Sequence, residues 1–266
     1  MTFTYRDGIA VLQLIAFIPA LNLALYLCYK QGLKAVASCW RFLLILSCLR
    51  IAGAVCQLLL ISHASEDVVV TKIVCDLLGI APLTLAAVGL LQRVNETAKQ
   101  VSRYTFMFVS IVSMVGLIIG IVGAVQAVNG ANYKVTSLLK AALALFIVCL
   151  GLMFLILFYL SWDIKSLPVS EQRVIYSLYL CSPLLVVRMV YAALSDYGSD
   201  PRFALFDGSP TAYLCMSVLE EIVLMIICLM IGFMYPPPVP DRTANKLISP
   251  GSLEASKQSW MSSLYR

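Results

Sequence analysis

The chain has 266 residues, of which 61% are hydrophobic and 12% charged, with a formal net charge of +5. A soluble domain carries about 25% charged residues, so this composition excludes an ordinary soluble domain and points to a bundle of membrane spans. Nine cysteines lie in or at the edges of apolar runs without C-x-x-C spacing, and there is one histidine, so a disulfide framework and a His/Cys metal centre are not expected.

Seven apolar runs have spanning length, at 9–29, 39–62, 69–91, 104–128, 138–162, 174–194 and 213–235. They predict an all-α polytopic membrane protein of seven transmembrane helices over residues 1–236, followed by a flexible polar tail, 237–266. The first run is too long, and its flank too weakly basic, for a cleaved signal peptide; it reads as a retained helix.

In the first run, Gln13 and Asn22 need partners from neighbouring helices. In the second, Arg50 is followed by Gly53 and Gln57 on the same helical face, the mark of a packed or functional face. The third places Lys72 and Asp76 at i, i+4, a possible local pair. Gly116 and Gly120 in the fourth make a small-xxx-small pattern suited to helix packing. The sixth carries Pro183 and Arg188, and the seventh carries Glu220 and Glu221 well inside its apolar stretch.

A charge near the middle of a spanning helix costs about 2.5 to 3.5 kcal/mol on insertion scales, so such residues turn inward, find partners or act on a substrate. Counted at about 1.5 Å per residue, Arg50 falls near mid-membrane and Asp76, Arg188 and the glutamates about 10 Å below one surface. Two arginines face three carboxylates. If Lys72 takes Asp76, each glutamate has an arginine and the cluster is a structural network. If it does not, one acid is left over and can serve as a proton donor. Glu220, which on a regular helix shares its face with Tyr213 and Ser217, is the expected inward acid.

Lysine and arginine are concentrated in the loops after the first, third and fifth runs and in the tail, about 12 against about five elsewhere, which predicts a lumenal or external N-terminus and a cytosolic C-terminus. The sequon at Asn95 then falls in a cytosolic loop and is expected to carry no glycan. Nucleophile-elbow, Walker A, dinucleotide-binding and aspartate-rich diphosphate motifs are missing, and no basic footprint suggests a nucleic-acid partner.

At Trp40-Arg41-Phe42, Leu49-Arg50-Ile51-Ala52-Gly53, Pro183 through Tyr191 and Glu220-Glu221, the chain resembles the seven-helix integral membrane proteins of filamentous fungi. It has a looser similarity to fungal lipid-translocating and drug-resistance proteins, and to the membrane-bound terpene cyclases of fungal secondary metabolism, although the N-x-x-W-E and D-x-D-D signatures of known cyclases are missing. The cyclase resemblance implies acid-initiated cyclisation of a prenylated, meroterpenoid-type precursor in the endoplasmic reticulum, without metal or cofactor. Glu220 or Glu221 would be the proton donor and Asp76 the helper or terminating base. Arg50 and Arg188 would hold the second carboxylate ionised, and Tyr191 and Tyr213 would stabilise cations. The alternative is a seven-helix lipid or drug transporter, or a receptor-like protein, without catalysis. In either case the partners are the bilayer and a lipophilic small molecule.

Overall fold

The computed structural model describes residues 4–31, 38–62, 65–129, 132–133, 136–197 and 209–235. The expected tail, 237–266, lies outside the described residues. The helices are α1 (Tyr5–Gln31), α2 (Ser38–Leu59), α3 (Glu66–Leu78), α4 (Ile80–Ala98), α5 (Arg103–Ala127), α6 (Ser137–Ser161), α7 (Val169–Tyr197), α8 (Pro210–Tyr213) and α9 (Leu219–Met234). The α5–α6 connection holds a two-residue antiparallel ladder in which Val128 pairs with Tyr133. Seven helical stretches among the described residues are long and apolar enough to cross a membrane; α3 with α4 forms the third, and α8 with α9 the seventh.

Consecutive spans run antiparallel, as polar contacts at their ends show. Gln57, at the end of α2, donates to Asp7 at the start of α1 (2.8 Å). The Tyr197 hydroxyl at the end of α7 donates to the Lys140 carbonyl at the start of α6 (2.8 Å). One end of the bundle is therefore marked by Tyr5, Leu59, Glu66 and Tyr197, and the opposite end by Gln31, Ala98, Val169 and Met234.

The third span is the hub. Its most apolar window is 94% buried, against 33% for the first, second and fourth spans, and α4 packs against α2, α5, α6 and α7. Residues Ile80 to Leu91 are buried without a break, so this helix has no lipid face. The outer helices differ: Ile15, Leu25, Ile118, Leu155, Leu180 and Met230 stand exposed around the bundle, where a bilayer would accept them. The glycines of α5 behave as packing residues. A methyl at Gly116 would touch Phe146 at 3.3 Å, and one at Gly120 would meet Ala142 at 3.6 Å. Of the polar residues in α1, Gln13 reaches Tyr213 of the last span (3.4 Å), whereas Asn22 bonds the Ile18 carbonyl of its own helix (3.0 Å).

Two local irregularities shape the site. The third span breaks at Gly79, just before Pro82, a ring that cannot donate to the preceding turn. The last span has a π-helical segment, Leu214–Val218, in which the Leu219 amide donates to the Leu214 carbonyl five residues back. Such single π turns are often found at functional sites.

Gly232 of α9 packs against the fully buried Trp40: a methyl there would sit 2.6 Å from the indole and 2.7 Å from Leu27. Gly232→Val should cost about 1–3 kcal/mol by overpacking, seen as a lower apparent melting temperature when heated, detergent-solubilised protein is followed by size-exclusion chromatography. An unchanged melting temperature would mean that the α1–α2–α9 contact is looser than described.

Candidate functional site

Arg50 cannot lose its proton in a protein, so its environment must supply negative charge. It is 1% exposed. Its Nη1 donates to Asp76 Oδ1 (3.0 Å), and its Nη2 donates to Glu221 Oε1. The same Glu221 oxygen accepts from Arg188 Nε (3.0 Å), and Arg188 Nη2 reaches the Asp76 carbonyl (3.3 Å). The Tyr213 hydroxyl donates to Asp76 Oδ1 (3.0 Å). Four spans thus meet in one buried junction of two arginines and two carboxylates.

Two of these contacts depend on backbone features. The Arg50 guanidinium lies directly on Gly79: a methyl there would collide with Nη2 and stand 2.9 Å from Cζ. A side chain larger than hydrogen at the break would therefore displace the arginine. The π segment sets which glutamate points inward. On a regular helix at about 100° per residue, Tyr213 would align with Glu220, and Glu221 would be about 80° away. One extra residue in the turn reverses this, bringing Tyr213 within about 20° of Glu221 and leaving Glu220 about 120° off. Glu221, not Glu220, is accordingly the fully buried centre of the junction.

Glu220 is the carboxyl left over. It is 7% exposed and joins none of the ion pairs among the described residues; its Oε2 is buried without a hydrogen-bond partner. Lys72 does not take Asp76 away from Arg50; it lines, with Asp76, Gln13, Gln57, Arg6 and Tyr213, a polar crevice of about 20 Å³ at the Tyr5 end. That volume holds about one water. Arg50 and Asp76 touch, so counting residues to depth placed them too far apart. The aromatic candidates fall beside the junction: the Tyr191 and Tyr213 rings are 6.5 Å apart, and the Arg188 guanidinium lies 6.0 Å from the Tyr191 ring. No group of three or more His, Cys, Asp or Glu residues suited to a metal occurs among the described residues.

A second buried ion pair lies toward the opposite end and was not expected. Arg93 of α4 donates to Glu171 of α7 (3.2 Å), and both side chains are 2% exposed. Neither residue falls inside an apolar run: Arg93 lies two residues past the third and Glu171 three residues before the sixth. About 17 residues, or roughly 25 Å of helix, separate Asp76 from Arg93, and the same number separate Glu171 from Arg188. The third and sixth spans are therefore tied to each other near both ends. The sequon residue Asn95 is also occupied: its side chain bonds both the amide and the carbonyl of Val101 at 2.8 Å.

A family model described as a domain of unknown function, DUF7702, matches residues 3–237. The chain belongs to this family. The matched region contains both ionic sites and ends three residues beyond α9. No curated protein and no solved structure matches the chain.

Breaking a buried pair by removing one partner costs about 3–5 kcal/mol. Glu221→Gln, which leaves two arginines short of a carboxylate, should sharply reduce folded yield and thermal stability, whereas Glu220→Gln should change them by less than about 1 kcal/mol. Gly79→Ala should resemble Glu221→Gln. Melting curves of the three purified variants check the order, and equal losses at the two glutamates would overturn it.

Proposed function

We propose that the protein is a non-catalytic seven-helix carrier of a lipophilic small molecule or lipid, set in the endoplasmic reticulum membrane with its N-terminus lumenal and its C-terminus cytosolic. The observation that carries this reading is the double tie between the third and sixth spans. Near one end Arg188 donates to the Asp76 carbonyl and near the other Arg93 pairs with Glu171, while Gly79 breaks the third span and Pro82 and Pro183 each lack a backbone donor between the ties. Helix pairs fastened at two ends and short of backbone hydrogen bonds between them suit a bundle that exchanges between two arrangements. The small crevice at the junction supports the same reading, since about 20 Å³ is far below the roughly 300 Å³ or more of a small-molecule chamber. The likeness to fungal lipid-translocating proteins also supports it.

A second reading, acid-initiated cyclisation of a prenylated precursor, is favoured by Glu220. An acid that joins none of the described ion pairs and keeps a buried oxygen without a hydrogen-bond partner is the proton donor that protonation of an olefin or epoxide needs. In that reading Glu220 gives the proton, Asp76 assists or ends the cascade, and Arg50 and Arg188 keep Glu221 ionised. It needs neither metal nor cofactor.

Two assays separate the readings. In proteoliposomes, the carrier should move a fluorescent lipid between leaflets several-fold faster than protein-free vesicles, and Glu171→Gln should change that rate. Microsomes given farnesylated aromatic precursors and their epoxides in chelator should form no new product. A cyclised product of unchanged mass that disappears in Glu220→Gln, with no lipid movement, would replace the carrier by the cyclase. For orientation, endoglycosidase treatment should leave the protein's mobility unchanged, because Asn95 faces the cytosol; a shift would invert the topology.

A further inference from the structure

The carboxyl of Glu220 lies beside the junction without belonging to it. It is 7% exposed, and its Oε2 is buried with no hydrogen-bond partner. The charges that act on it are Arg188 of α7 and Glu221 of its own helix; α1, the other long helix packed along α9, brings no charged group to bear on it among the described residues. Arg188 is held by its Nε on Glu221 (3.0 Å) and its Nη2 on the Asp76 carbonyl (3.3 Å), while its Nη1 makes no hydrogen bond among the described residues. Glu221 holds both arginines through Oε1, and its Oε2 is buried without a partner. If Arg188 left, Glu221 would still have Arg50, and Arg50 would keep Asp76 as well.

We propose that Glu220 is a proton-binding site, and that loss of its proton draws Arg188 off Glu221 and the Asp76 carbonyl, releasing the third span from the sixth at that end. In the present arrangement the two arginines are already matched by Asp76 and Glu221. The third carboxyl is then accommodated as the neutral acid, the form that costs least where no cation pairs with it. When the O–H bond breaks, the proton passes to water and the electron pair stays on the carboxylate. The new anion competes with Glu221 for a guanidinium that keeps its own charge throughout. The Arg93–Glu171 pair is untouched and remains the fixed end of the two spans. Protonation thus selects between two arrangements of the bundle, and movement of cargo is coupled to movement of a proton. The inference rests on the carrier reading for its purpose and names the ion that drives it.

The proton site is tested on the full chain in phosphatidylcholine nanodiscs, without cargo. Infrared difference spectra between acidic and alkaline buffer should contain the carbonyl stretch of a protonated carboxyl, lost in Glu220→Gln and kept, displaced, in Glu220→Asp. Hydrogen–deuterium exchange reads the tie. In alkaline buffer residues 77–81, next to the Asp76 carbonyl, should exchange several-fold faster in the unaltered protein than in Glu220→Gln, and in acidic buffer the two should agree. Glutamine keeps the shape of the neutral acid, so a purely structural Glu220 would give no difference that depends on pH. In proteoliposomes a pH difference across the membrane should speed lipid movement several-fold, and Glu220→Gln should not respond to it. An infrared difference unchanged in Glu220→Gln, or matching exchange at 77–81 in both buffers, would overturn the proton site. Lipid movement indifferent to the pH difference, with no Glu220 band, would remove this inference and leave the carrier standing. A Glu220 band and the exchange difference without lipid movement would do the reverse.

Discussion

Everything around the junction follows from burying one guanidinium. Arg50 is almost wholly removed from solvent in the middle of an apolar helix and must keep its charge, so the bundle has to bring carboxylate to it. Asp76 comes from the third span and Glu221 from the seventh; Glu221 in turn holds Arg188 of the sixth. Helices that share no hydrophobic driving force within a bilayer are thereby given a defined arrangement. Gly79 and the π segment are the two departures from regular helix that this arrangement needs. One clears space for the arginine, and the other turns the correct glutamate inward.

The two ionic sites divide the bundle into levels. Near the Tyr5 end, the junction joins four spans and borders a polar crevice. Near the other end, the Arg93–Glu171 pair joins only the third and sixth. Between them lie the prolines and the break at Gly79. Each level leaves polar atoms without partners, among them Arg93 Nε, Glu171 Oε2 and Arg50 Nε. Incompletely satisfied pairs hold two helices together less firmly than complete ones, a property compatible with alternate arrangements of the same contacts.

Much of this was legible in the sequence because charge in an apolar run is expensive. That cost singled out Arg50, Asp76, Arg188 and the glutamates, and the count of two arginines against three carboxylates anticipated a leftover acid. Gly53, one turn from Arg50, was correctly placed on the shared face and abuts Cys75 and Asp76. The identity of the leftover acid was not legible. A regular helix aligns Tyr213 with Glu220, and no residue pattern in 214–218 announces the extra residue in the turn. Arg93 and Glu171 were missed for a related reason. Burial at a helix end depends on what packs over it, and a charge two or three residues outside an apolar run looks the same in sequence whether it is solvated or covered. Gly79 likewise reads as an ordinary break before Pro82 until the arginine is seen lying on it.

The account's central claim, that Arg50 and Glu221 act as one unit, is tested most directly by a double-mutant cycle. Thermal stability would be measured for Arg50→Gln, Glu221→Gln and the double variant in the same detergent. The account predicts strong non-additivity, with the double variant at least about 1 kcal/mol more stable than the sum of the single losses, since contacting residues couple at about 0.5–3 kcal/mol. Additive losses would mean that the two side chains are held independently and that the junction described here does not organise the bundle.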